Sequence, residues 1–122
     1  MEINGREYGF RLTAGAAMDI SDKCPGKDLK NFAALLDGSV GPTLEGRATF
    51  ICALSRGEEE ARAFEEPGYK PAPLTPEMLR VLDLATFTAA MEAAAAAFRE
   101  GLETTVNARA KKNEAAAGET SR

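Results

Sequence analysis

One stretch limits the folding options of this chain more than any other, and it runs from Leu74 to Val106. Phe87, Met91, Ala94, Phe98 and Leu102 recur at spacings of four, three, four and four, which places all five on one stripe of an α-helix. Alanine fills Ala93 to Ala97, so helix propensity is high and a neighbouring helix can approach closely. A stripe of this kind must be covered, and covering it with other helices is the simplest solution. Just upstream, Thr75 stands at an N-cap position with Pro76 at the first helical position. Leu74 and Leu79 can close a hydrophobic staple around that cap, and Met78, Leu79 and Leu82 give the short helix its apolar side. Thr86 is expected to cap the longer helix that follows.

The rest of the chain supplies the partners. Met1 to Leu12 reads as a β-hairpin, because Asn4-Gly5 suits a type I′ turn and Tyr8, Phe10 and Leu12 alternate with polar residues or glycine. Thr13 is placed to cap a helix from Ala14 to about Lys23, with Ala16, Ala17, Ile20 and Cys24 along one side and Pro25-Gly26 as its stop. A second helix carries Leu29, Phe32, Ala33 and Leu36, with Asp28 at its cap and Gly38 past its end. Thr43 is expected to cap a third, through about Ser55, with Leu44, Ala48, Ile51 and Cys52 facing inward and Phe50 and Leu54 broadening that face. Gly46 weakens it by about 1 kcal/mol relative to alanine.

Gly57 breaks the pattern, and Glu58 to Phe64 adds an acidic turn or two in which Arg56–Glu60 and Glu58–Arg62 are helix neighbours. The three adjacent glutamates, Glu58 to Glu60, read as a solvated face. No loop of Asp, Asn and Gly accompanies them to hold a cation. Pro67 to Pro73 is an extended connector that lays Tyr69 on the core. The fold expected is therefore mainly α (α+β): a small bundle of four to five helices with an N-terminal β-hairpin. One domain spans 1–106, with the hairpin at 1–12, helices at 13–66, the proline-rich connector at 67–74 and the C-terminal helices at 75–106. Residues 107–122 lose the apolar pattern and are expected to form a flexible tail.

Chemistry is bounded more by what is missing than by what is present. Histidine is absent, which removes Ser-His and Cys-His nucleophile activation and most transition-metal sites together. The two cysteines, Cys24 and Cys52, form no CxxC pair and read as two buried or half-buried thiols rather than a disulfide. Cys24-Pro-Gly-Lys27 lacks the leading glycine and the trailing Ser/Thr of a phosphate loop. No catalytic, cofactor-binding or metal residues are assigned, and the chain is not expected to be an enzyme. The formal charge of −4 argues against nucleic acid as the main partner. No run is apolar enough to span a membrane and no signal-peptide pattern opens the chain, so a cytoplasmic protein is expected.

Two stretches together resemble the tail assembly chaperones of long, non-contractile-tailed bacteriophages. One is Glu2-Ile-Asn-Gly-Arg-Glu-Tyr-Gly-Phe-Arg-Leu-Thr-Ala-Gly-Ala-Ala-Met-Asp-Ile20, a hairpin leading into a helix. The other is Ala53-Leu-Ser-Arg-Gly-Glu58, followed by the proline connector, Leu74-Thr-Pro-Glu-Met-Leu79 and the last helix. The resemblance covers about residues 2–106, in layout and weak pattern without an invariant motif. It implies a non-catalytic protein of the bacterial host's cytoplasm that keeps the tape-measure protein soluble and recruits tail-tube subunits to it. It also implies ribosomal slippage near Ala110-Lys111-Lys112, giving a longer minor product.

The alternative is a small helical interaction or regulatory subunit, in which Arg109, Lys111, Lys112 and Arg122 of the tail contact nucleic acid. The apolar helical surface exceeds what so small a bundle needs, so some self-association is expected as well.

Overall fold

The computed structural model describes the backbone of residues 1–120 and the side chains of residues 1–108. Its elements in order are β1 (Glu2–Ile3), β2 (Arg6–Glu7), α1 (Ala14–Lys23), α2 (Phe32–Leu36), α3 (Thr43–Glu65), α4 (Pro76–Arg80) and α5 (Leu84–Thr120), with short 3-10 turns at Pro25–Lys27 and Leu29–Asn31. The mainly helical bundle with an N-terminal hairpin is what the sequence pattern predicts. Helix α3 is its axis, with α1, α2 and α5 packed around it.

The hairpin turns at Asn4 (φ 51°) and Gly5 (φ 81°), the positive pair that a type I′ turn needs. Its ladder is shorter than expected, pairing Glu2 with Glu7 and Ile3 with Arg6. Tyr8 still exchanges backbone bonds with Met1, and from Gly9 onward the chain leaves the first arm and crosses α3, where the Arg11 N–H donates to the Leu54 carbonyl at 3.0 Å. Two-residue arms cannot hold a hairpin alone, and this crossing is what anchors it.

That crossing explains a correction. The expected break at Gly57 is absent, and α3 continues through it without interruption. A Cβ at Gly57 would lie 2.3 Å from the Arg11 carbonyl oxygen, and one at Gly46 would lie 1.9 Å from that of Leu35. Both glycines serve close backbone approach, not helix termination. Gly57→Ala is accordingly expected to destabilise the protein by about 1–3 kcal/mol through overpacking, although alanine is the better helix former. A lowered urea midpoint at unchanged slope would show it; a raised midpoint would mean that propensity wins.

Caps follow the sequence in three cases and depart from it in two; in one of the three the Asp28 carboxylate accepts the Lys30 N–H at 3.0 Å, at the head of the 3-10 turn that leads into α2. The Thr13 hydroxyl accepts from the Ala16 N–H and that of Thr75 from the Met78 N–H. By contrast Pro42, not Thr43, precedes α3, and Thr43 is already helical. For α5 the cap is Asp83, whose carboxylate accepts the Thr86 N–H at 2.7 Å, because the helix starts two residues before Thr86. This bond holds the Asp83 carboxyl below its ordinary range. A depressed folded-state pKa contributes stability above the unfolded value of about 3.9, lost as pH falls through the folded one. Asp83→Ala should therefore melt below the wild type at neutral pH, with the gap narrowing in acid below that value. A gap that is constant with pH would refute the cap's charge dependence.

The core gathers Phe50, Ile51, Leu54, Ile20, Ala90, Ala94 and Phe98. The Phe98 ring lies 4.7 Å from that of Phe32 and 5.1 Å from that of Phe50, centroid to centroid. Phe87 is buried, and Met91 and Leu102 are mostly covered, as the stripe requires. Leu44 is a correction, since it faces out at 54% exposure instead of inward, while Phe50 and Leu54 are central. In the second helix Leu35 is the buried residue and Ala33 is exposed, because its first turn is 3-10 and shifts the inward face. Both cysteines are free, Cys24 buried and Cys52 half-buried. Helix α5 runs on through the segment expected as a tail. The side chains after Ala108, including the Ala110-Lys111-Lys112 step, and the terminal Ser121-Arg122 lie outside the described residues.

Candidate functional site

Two features of the surface of α3 stand out, one polar and one apolar. The polar one is Glu59, which is 3% exposed. Its carboxylate accepts from Arg6 Nη2 at 2.9 Å, from the Tyr69 hydroxyl at 2.7 Å, and from the Ala72 N–H at 3.0 Å. One turn earlier the buried Ser55 hydroxyl accepts the Leu74 N–H at 2.9 Å. Together Ser55 and Glu59 lash the proline connector along α3, and Glu59 adds the hairpin through Arg6. Tyr69 is held from both sides, with the Arg62 guanidinium 4.7 Å from its ring centre. Donation to Glu59 raises the Tyr69 hydroxyl above its ordinary pKa.

The reading of Glu58 to Glu60 as one solvated face is thereby corrected. Only Glu60 fits it, paired to Arg56 at 2.9 Å with both side chains exposed. Glu58 turns to Arg11 at 3.0 and 3.1 Å in a bidentate pair, not to Arg62, which lies instead 3.7 Å from Glu66. The signal was present in register: Glu59 follows Ser55 by four residues and Ile51 by eight, on the buried side of a continuous helix. Breaking the helix at Gly57 discards that phase.

Chemically this cluster is quiet. Among the described residues no buried side-chain polar atom lacks a hydrogen-bond partner, so the buried carboxylate of Glu59 and hydroxyl of Ser55 are both paired within the fold. Among them also, no group of three or more Cys, Asp or Glu side chains is arranged to hold a metal ion. The thiols are poor nucleophiles: burial, with Glu77 nearby, pushes Cys52 up to about 11, and burial raises Cys24 as well. Lys27, from the stretch tested as a phosphate loop, lies 3.3 Å from Asp22.

The apolar feature is a groove of about 480 Å³ where the first turns of α3, α4 and the start of α5 meet. Ala48, Leu79 and Phe87 are among its apolar lining, and Leu44 and Leu84 stand at its mouth, 54% and 67% exposed. Glu45 and Arg80 are the charged residues lining it. The groove arises because α4 is a single turn and a half. It caps the end of the α3–α5 pair without filling it, leaving aliphatic side chains open to solvent. The sequence reading missed this site, having turned Leu44 inward.

Fold and site define a class of molecule: a small helical bundle, tied by a buried carboxylate, that offers an open apolar groove. Compared with protein-family models, curated proteins and solved structures, the chain matches none. Among the described residues no helix is long and apolar enough to cross a membrane.

Proposed function

We propose that this protein is a tail assembly chaperone of a long, non-contractile-tailed phage, acting by protein–protein contact and without catalysis. In that reading it works in the cytoplasm of the bacterial host, keeps the tape-measure protein soluble and brings tail-tube subunits to it. The observation that carries the reading beyond the resemblance of residues 2–106 is the groove. Leu44 and Leu84 line one concavity and are left 54% and 67% exposed. Contiguous exposed aliphatic surface of this kind marks a site of contact with another apolar surface. A tape measure is a long helical chain with apolar seams, and helix-in-groove docking is the physical means of covering one.

Co-expression tests it. On this reading a very long coiled-coil protein is encoded next to this gene, and it should be soluble when the chain is present and co-purify with it. A neighbourhood without such a reading frame, or a coiled-coil protein indifferent to the chain, would sink the assignment. Binding to DNA with a steep salt slope would instead favour the interaction or regulatory subunit using the basic residues after Asn107.

A further inference from the structure

We propose that the α3–α4–α5 groove seats an amphipathic helix of another protein, one flanked by lysine or arginine. The proposal rests on the partner-binding reading above and supplies the chemistry of the partner. Shape argues for a helix. Leu84 is shared between the groove and a shallow shelf on the outer side of α5 made by Ala85, Thr88, Ala89 and Glu92. The exposed apolar surface is therefore elongated, and the small side chains of the shelf let a rod lie close to the α5 backbone.

Charge argues for a basic partner. Glu45 lines the groove, Glu77 stands in the first turn of α4, and Asp83 sits between the lining residues Leu82 and Leu84; Arg80 is the one cation set among them. All four are exposed; Glu45 and Arg80 line the groove itself, while Glu77 and Asp83 stand next to lining residues in sequence, so the segments that build the groove carry more carboxylates than cations. Glu92 continues the acidic side along the shelf.

A second copy of this chain fits less well. Two such grooves face to face would set Glu45, Glu77 and Asp83 against their own copies, a repulsive arrangement. Nor do Met18, Val40, Phe64 and Val106, the other large apolar side chains exposed among the described residues, form a helical ridge to fill it.

The test uses the full chain and a labelled synthetic peptide of about four helical turns, with leucines at i, i+3, i+4 and i+7 and flanking lysines. Its twin has glutamate for every lysine. Anisotropy should show the lysine peptide binding at least about tenfold tighter than the twin, with the advantage shrinking in high salt. Leu84→Asp should weaken it by about tenfold or more at unchanged melting temperature, since Leu84 is 67% exposed. Glu45→Lys with Glu77→Lys should reverse the preference between the twins.

Equal binding of the twins, or indifference to Leu84→Asp, overturns the proposal. So does a concentration-dependent dimer that Leu84→Asp dissolves, which would make the groove an interface between copies. Failure here is separable from failure of the chaperone reading. A coiled-coil tape measure bound undiminished by Leu84→Asp sinks the groove and leaves the chaperone. A seated lysine peptide with no tape-measure binding does the reverse.

Discussion

Phe98→Ala should be among the most damaging single substitutions in this protein, costing about 3–5 kcal/mol and lowering the melting temperature by more than ~10 °C. The ring is 2% exposed and lies between Phe32 and Phe50, so its removal takes an aromatic contact from each as well as its own burial. Collapse of the site is limited, because the two aromatic neighbours come from two other elements, the α2 start and α3. Thermal or urea unfolding measures it. A loss below about 1 kcal/mol would mean that α5 is not seated on α3 as described.

Glu59→Ala should come next, at about 2–4 kcal/mol, from stranding donors that the carboxylate now satisfies. The Ala72 N–H is the costly one, since the connector backbone has no other partner there. The ion pair itself contributes less, because Arg6 is 44% exposed and water screens it. Glu59→Gln should be milder than alanine, keeping an acceptor for Tyr69 or Ala72. Limited proteolysis gives a second readout, with cleavage appearing between Pro67 and Pro73 once the strap is loosened. An Ala variant as stable and as resistant as the wild type would show that the connector is held by Ser55 and Leu74 alone.

Rules that act over a few residues could be applied without a structure. Asn4-Gly5 named its turn because positive φ at two successive residues leaves few other choices. Thr13 and Thr75 named their helix starts because a cap bonds within three residues of itself. The stripe at Phe87, Met91, Ala94 and Phe98 named a buried face because helical phase persists along one continuous element. Where those rules faltered, a distant contact had outvoted them. Thr43 and Thr86 had the right side chain for a cap, but packing started α3 and α5 earlier in the chain.

The groove was out of reach for a related reason. Leu44 has the period of a core residue, and period alone cannot say whether a neighbouring element arrives to cover it. In this fold α4 ends after Arg80 and leaves it open.

From the amino-acid order alone come the helical class, the hairpin, three of the caps, the buried side of the last helix and the lack of histidine chemistry. All are set by local sterics, side-chain period and composition. Only the tertiary structure decided that Gly57 is a crossing point for the Arg11 backbone and that Glu59 is a clamp for segments 53 and 13 residues away. It also decided that Leu44 and Leu84 face solvent together. Each of these depends on which backbone passes within a few ångströms of a given side chain, and that is a property of the packed chain as a whole.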